Sequence, residues 1–391
     1  MSYSVTIYCP DTHFVYDAKT PDRVGVGGGV TARLRLAQAL ADIGNKVTLV
    51  ANVPRTQTYR GVHYRRLSEV RSIDSDILIL NTSGGALDLS GVSEMEVRAN
   101  LKVLWVMGTS ALKSLDQVDF DYLIAPSNFV REVAEQEWHV SPDRLFVISN
   151  GHQRITRRRR WRGTFIRDPF RLVYSSFPSK GLDAAIGVLR LLRSEEPRFE
   201  LHVYGGNALW GAEQQAMAPE SGVFDHGLTG QHKLFGELLK SSFAVNLQSM
   251  PEGFPIAANE AMACGNIVLA SPVGPYEEMV NHGYDGFIVP GDHLASDTLE
   301  RAASLILSLK RNPPLAEYVR RNAIGALASW DVLAKVWQGH WQWALSGKER
   351  GENIGCVGYC SECSGPQLAL ADGYHCTGCG RYHRALLFNR A

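Results

Sequence analysis

Two series of short apolar runs, with helical stretches between several of them, limit the architecture of this chain more than any other feature. In the first series, Val5–Cys9, Lys46–Val50, Ile77–Leu80, Val103–Val106, Tyr122–Ala125 and Leu145–Ile148 read as strands. In the second, Arg171–Ser175, Glu200–Tyr204, Phe243–Leu247 and Ile267–Ser271 read as strands, with helices expected at Leu182–Leu192, near Leu234–Leu239 and at Glu277–Asn281. Strands alternating with helices imply a mostly parallel sheet covered on both faces. Each half has the length of a doubly wound, Rossmann-like domain, whose ligands bind beyond the carboxyl ends of the strands. At 391 residues the chain is too long for one ordinary core and suggests two large domains plus a small third part.

Charge is balanced, with 40 basic and 40 acidic residues, so no global field favours nucleic acid or an anionic membrane. Met1–Pro10 lacks the basic region and apolar core of a secretory signal. No apolar run approaches the roughly 20 residues that span a bilayer. Five of the seven cysteines fall between Cys356 and Cys379, which reads as a metal site in a reducing compartment, and the expected location is cytoplasmic.

Residues 252–265 carry the strongest local phrase: Glu252-Gly-Phe-Pro-Ile-Ala-Ala-Asn-Glu260, then Ala-Met-Ala-Cys-Gly265. Pro255 suits the first turn of a helix and Gly265 the residue past its end. Glu252 then lies on the entry loop and Glu260 about one turn inside. The N–H groups of Gly253 and Phe254 at the positive helix end form a ready seat for phosphate. A second glycine cluster, Gly25-Val-Gly-Gly-Gly29, opens an apolar-periodic helix after the first strand. Its spacing is not Gly-x-Gly-x-x-Gly and no acidic residue ends the next strand, which argues against a nicotinamide dinucleotide fingerprint. Asp74-Ser-Asp76 reads as loop. The arginine run 157–160 lies in an expected interdomain linker.

The phrase from Glu252 to Gly265 resembles the donor site of retaining glycosyltransferases of the GT-B fold, in particular glycosyltransferase family 4. The resemblance covers about residues 1–345. It implies an α/β fold of two Rossmann-like domains facing a cleft, an acceptor-side domain over 1–158 and a nucleotide-sugar-binding domain over 159–329. The Trp-rich helix at 330–346 would cross back onto the first domain. By the same resemblance, Gly28 and Gly29 face the donor diphosphate, and Lys180, in Ser175-Ser-Phe-Pro-Ser-Lys-Gly181, contacts it. Ser175 stands where many relatives carry an arginine. Glu260 accepts hydrogen bonds from the ribose, Glu252 orients the sugar, and Gly253, Phe254 and Pro255 line the phosphate seat. Met107 and Gly108 occupy the stretch where many members carry a histidine. The implied activity is transfer of a sugar from a nucleotide diphosphate sugar to an acceptor hydroxyl with retention and without a catalytic metal. Glu252 and Lys180 are the catalytic candidates; the acceptor is a glycan, a lipid-linked molecule or a small molecule. A non-catalytic sugar-nucleotide-binding protein, or a nucleic-acid-binding protein using the arginine run and a zinc ribbon in the Cys-rich tail, are the alternatives.

The tail at 354–391 holds Cys360-x2-Cys363 and Cys376-x2-Cys379. Paired Cys-x2-Cys motifs read as a zinc ribbon with four thiolates on a structural Zn²⁺, and such a ribbon can recruit a partner. Cys356, His375 and His383 are spare ligand candidates. A tail this short has almost no core of its own and would need the metal to fold.

Overall fold

The structure is a computed structural model that describes residues 2–82, 87–154, 167–207 and 217–350 and four short strands between 358 and 384. The chain folds as two compact units.

The first unit comprises Met1–Ala18, Gly29–Asn150 and Ser329–Ala391. Its sheet is built from β1 (Ser4–Tyr8), β2 (Lys46–Ala51), β3 (Gln57–Tyr59), β4 (Val62–Arg66) and β5 (Ser72–Asn81), with β7 (Glu96–Trp105), β9 (Tyr122–Ala125) and β10 (Leu145–Val147). A separate two-strand pair joins β6 (Leu87–Asp88) to β8 (Leu112–Lys113). The main sheet has the order β10-β9-β7-β5-β1-β2-β4-β3 and is parallel except for the edge strand β3. Its first strand is central, so chain direction across the sheet reverses between β1 and β5. Helix α1 (Thr20–Arg23) and helix α2 (Gly28–Asp42) follow β1. α2 is buried from Val30 to Leu40, Arg33 included. That guanidinium hydrogen-bonds Asn81 Oδ1 at 2.6 Å and the Tyr16 hydroxyl, which satisfies a charge that burial would otherwise penalise. α3 (Ser90–Ser93) and α4 (Asn128–Gln136) follow along the chain, and Ser127 Oγ caps α4 by accepting from Val130 N.

Asp74 and Asp76 belong to β5 rather than to a loop. Asp74 is exposed, whereas Asp76 accepts from both the amide and the hydroxyl of Ser4, so the neighbouring strand supplies the donors that let a strand begin on this acidic pair.

The second unit comprises Lys19–Gly28 and Gly151–Ala328. Its strands are β11 (Asp168–Tyr174), β12 (Glu200–Val203), β13 (Val223–Asp225), β14 (Ser241–Asn246), β15 (Ile267–Ala270) and β16 (Phe287–Ile288). They pair in the order β13-β12-β11-β14-β15-β16, all parallel. Numbered within the unit this is 3-2-1-4-5-6, the doubly wound order, with the switch point between β11 and β14. The helices are α5 (Leu182–Glu195), α6 (Gln231–Lys240), α7 (Ile256–Ala263), α8 (Tyr276–Met279), α9 (Ser296–Arg311) and α10 (Pro313–Ala326). Alternate strand residues Leu172, Tyr174, Leu201, Val203, Phe243 and Val245 pack against Ala185, Leu189 and Ile306 from the helices. The expected helix at 277–281 is the shorter α8, and Pro255 stands just before α7 rather than in its first turn.

In the first unit, α11 (Trp330–Arg350) places Trp337 edge-on against Trp105 at 5.4 Å and Trp341 edge-on against Tyr3 at 6.1 Å. Among the described residues no helix is long and apolar enough to cross a membrane. The last four strands, β17 (Gly358–Tyr359), β18 (Pro366–Leu370), β19 (Gly373–Cys376) and β20 (Tyr382–Arg384), form an antiparallel meander.

Candidate functional site

The loops leaving β11 and β14 meet at the switch point of the second unit. β11 ends at Tyr174, and the chain runs through Ser175 to Lys180 and Gly181 before α5 begins. β14 ends at Asn246, and the chain runs through Glu252 to Pro255 before α7 begins. Gly181 has φ +125°, and a Cβ there would sit 1.9 Å from the carbonyl oxygen of Leu247. Only glycine permits both that backbone conformation and so close an approach of the two loops.

The approach delivers Lys180 to Glu252. Lys180 Nζ lies 2.5 Å from Glu252 Oε2, and both side chains are mostly buried, at 17 and 15% exposure. The other carboxylate oxygen, Oε1, accepts from Gln248 Nε2 at 3.2 Å. Tyr276 and Tyr174 lie near this carboxylate; burial first, then the charge of Glu252, raises both phenol pKa values and keeps them protonated.

Glu260 is in α7, one turn inside, and is only 5% exposed. Its Oε1 accepts from the side-chain amide of Gln231, the first residue of α6. Gly253, Phe254 and Pro255 are all buried at the entrance to this helix. The helix closes with Cys264 N donating to Glu260 O and Gly265 N to Met262 O.

Gly28 lies against α7: a Cβ on it would be 3.4 Å from Ile256 Cδ1. Gly28 belongs to the second unit and Gly29 to the first, so the chain passes from one to the other at this glycine pair. Residues 19–28 reach the second unit through α1, whose neighbour is α6. A Cβ on Gly230, the residue before α6, would be 2.2 Å from the carbonyl oxygen of Asp22, so the small residue admits that backbone. The fold thus gathers Gly28, Lys180, Glu252, the 253–255 segment and Glu260 into one unit, with Ser175 on the loop that carries Lys180.

Gln231 and Gln248 were not among the sequence-derived candidates. Each is buried and donates to one of the two glutamates. In the first unit, Met107 N donates to Thr82 Oγ1 at 3.2 Å, which ties the end of β5 to the stretch where Gly108 follows. The arginine run 157–160, Cys360, Cys363 and Cys379 lie outside the described residues. Cys376 is the last residue of β19. Among the described residues there is no group of three or more metal-ligating side chains.

Residues 166–325 match the family model of Glycosyl transferases group 1. The second unit carries a glycosyl transferases group 1 domain. Over 170 residues the chain is 31% identical to a D-inositol 3-phosphate glycosyltransferase of Frankia alni, covering 40% of each chain. Over 179 residues it is 28% identical to the GDP-mannose:cellobiosyl-diphosphopolyprenol alpha-mannosyltransferase of Komagataeibacter xylinus, covering 41% of this chain and 42% of that one. The chain thus matches about two-fifths of the length of these curated relatives. Solved structures extend the likeness in fold. A sucrose-phosphate synthase from Thermosynechococcus elongatus matches at TM-score 0.60 and 16% identity, over 88% of this chain and 99% of that chain. Anabaena HepE in complex with UDP-glucose matches at TM-score 0.60 and 15% identity with the same coverage. The architecture around the group 1 domain is the parallel-sheet, Rossmann-like architecture of GT-B glycosyltransferases.

Proposed function

We propose that this protein transfers a sugar from a nucleoside diphosphate sugar to an acceptor hydroxyl with retention of configuration. The observation that carries the proposal is the Lys180–Glu252 ion pair at the switch point, one loop away from a helix that holds the buried Glu260. The group 1 domain and the nucleotide-sugar transferases among its relatives supply the same direction.

In this reading the diphosphate takes Lys180 from Glu252. A compact ammonium and the 253–254 end of α7 stabilise the charge that grows on the departing nucleotide. Glu260, steadied by Gln231, accepts hydrogen bonds from the ribose hydroxyls. Glu252, released from the lysine, orients the transferred sugar. The leaving diphosphate draws the proton from the attacking hydroxyl, so these groups do the work of a metal clamp. Gly28, which packs against Ile256 of α7 in the second unit, brings backbone near the diphosphate without side-chain obstruction.

The tail has a separate role. We assign Cys360, Cys363, Cys376 and Cys379 to one structural zinc. The pairings Tyr359↔Pro366 and Gln367↔Cys376 and the start of β20 at Tyr382 put the strand ends flanking both Cys-x2-Cys segments at the same end of the meander. Four thiolates would close the coordination sphere and leave the chemistry to the second unit.

A melting screen with UDP-, GDP-, ADP- and dTDP-sugars tests the central claim, because a bound donor raises stability by mass action. One base should stand out. No shift with any of the four at millimolar concentration would refute the donor site.

A further inference from the structure

Glu252 is held by two donors of different kinds. Lys180 is one, through Oε2 at 2.5 Å. Gln248 is the other, through Oε1 at 3.2 Å, with its side chain on the loop that follows β14. The Gln248 amide is itself fixed. Its Nε2 also donates to Met250 O at 2.6 Å, and its backbone N donates to Ser271 Oγ at 2.9 Å, at the end of the adjacent strand β15. Both partners of the side-chain nitrogen are acceptors only, a carbonyl and a carboxylate, so chemistry alone sets the orientation of the amide. Gln248 is 2% exposed, and its rotamer freedom is already spent in the folded chain.

The two donors differ in what a diphosphate does to them. An ammonium on a flexible four-carbon stem moves readily to a more highly charged anion. A buried neutral amide does not, because it already donates to a carboxylate and a carbonyl and would forfeit both hydrogen bonds. When Lys180 leaves, Glu252 keeps Gln248. Resting on the donor-site reading above, we propose that Gln248 is a positioning residue that holds the Glu252 carboxylate in register with the sugar after Lys180 has moved to the diphosphate.

The role has a signature that a purely structural glutamine lacks: it is felt by the sugar and not by the bare nucleotide. The probes are UDP and UDP-glucose, or the same pair with whichever base the melting screen selects, titrated into the full chain. Gln248→Met keeps the length of the side chain and removes both donors. It should leave UDP affinity within about two-fold and weaken UDP-glucose about ten-fold or more, the scale of one hydrogen bond to a charged group. Gln248→Glu keeps the shape, sets a second carboxylate against Glu252, and should weaken the sugar nucleotide at least as much. In a Glu252→Ala background, Gln248→Met should add less than two-fold, since the residue it serves is gone.

Equal weakening of UDP and UDP-glucose by both variants would reduce Gln248 to a loop brace and overturn the inference, as would an undiminished effect in the Glu252→Ala background. Those results leave the donor site standing. Wild-type protein that binds neither probe of any base overturns the donor site and this inference together.

Discussion

Lys180 Nζ and Glu252 Oε2, 2.5 Å apart, neutralise one another at the switch point of the second sheet. A diphosphate that enters this site has to exchange a partner rather than find an idle cation. The cost of breaking the pair is offset only if the phosphate supplies a stronger one, which two negative charges do.

That exchange fixes how the single substitutions should differ. Lys180→Ala and Glu260→Ala each remove a charged hydrogen bond worth roughly 1.5–3 kcal/mol, so nucleoside diphosphate should bind about ten-fold or more weakly. Glu252→Ala releases Lys180 and should leave bare nucleoside diphosphate bound as well as in wild type, or better, while lowering transfer. Calorimetric titration of the three variants separates these cases. Wild-type nucleotide affinity in Lys180→Ala would remove the lysine from the site.

Gly181 is the steric hinge of the same arrangement. At φ +125° and with Leu247 O 1.9 Å from where a Cβ would stand, alanine is excluded twice over. Gly181→Ala should cost about 3 kcal/mol or more. The second unit should then melt about 6–12 °C lower. A melting curve that superimposes on wild type would mean the loops after β11 and β14 can separate freely, and the ion pair with them.

Much of this was legible in the sequence because the central strands of a parallel sheet are apolar on both faces. β1, β2, β9, β11, β14 and β15 each contain such a run, which in β11 is confined to Leu172, Val173 and Tyr174. β4, Val62-His-Tyr-Arg-Arg66, and the three-residue β3 and β13 are edge or near-edge strands with polar faces, and they carry no comparable signal. The acidic start of β5 was misread for the same reason, since its donors come from Ser4, far away in the chain. Lys180, Glu252 and Glu260 stand in contiguous phrases and could be picked out by the resemblance of those phrases to the family's donor-site motifs. Gln231 reaches Glu260 across 29 positions, and Gln248 differs from any buried polar residue only by where its amide points. The passage of residues 19–28 into the second unit has no mark in the sequence beyond the glycines that permit it.

Acid should loosen the second unit in two stages. His202 Nδ1 lies 2.9 Å from His226 Nε2, and His202 Nε2 lies 3.1 Å from Glu200 Oε2. Burial lowers the His202 pKa; the Glu200 hydrogen bond opposes it, while Arg171 and His226 reinforce it. Burial and then Arg171 lower His226 as well. A histidine pKa depressed in the folded state means the unfolded chain takes up protons first, from about pH 6.5 downward. Stability is therefore fully present above that pH and is lost as pH falls through the folded-state values. Glu237 follows. Burial raises its pKa, but hydrogen bonds and charge from Lys240 and Arg171 prevail and bring it to about 2. Its contribution is present above the ordinary carboxylate range near 4.5 and disappears towards pH 2. Urea midpoints from pH 8 to 4 should decline below 6.5 in wild type and decline less in His202→Phe, which keeps the stack and cannot titrate. A flat wild-type profile between pH 7 and 5.5 would contradict the first stage.

The tail gives the last prediction. Two Cys-x2-Cys segments leave strand ends that lie together at one end of a four-strand meander, and a sheet of so few residues is below the size at which a core alone sustains a fold. On the zinc assignment proposed above, thiolate coordination should supply most of its folding free energy. Purified without chelator, the protein should carry one zinc per chain. Serine at Cys360, Cys363, Cys376 or Cys379 should release the metal and expose the tail to protease, while donor binding persists because the candidate site lies in the second unit. Removing the chain beyond Leu345 should likewise leave nucleotide affinity unchanged. Loss of donor binding on that deletion, with the melting temperature of the remainder preserved, would make the tail part of the site. Zinc content near zero with every tail thiol reactive would leave the meander to be held by its strand pairing alone.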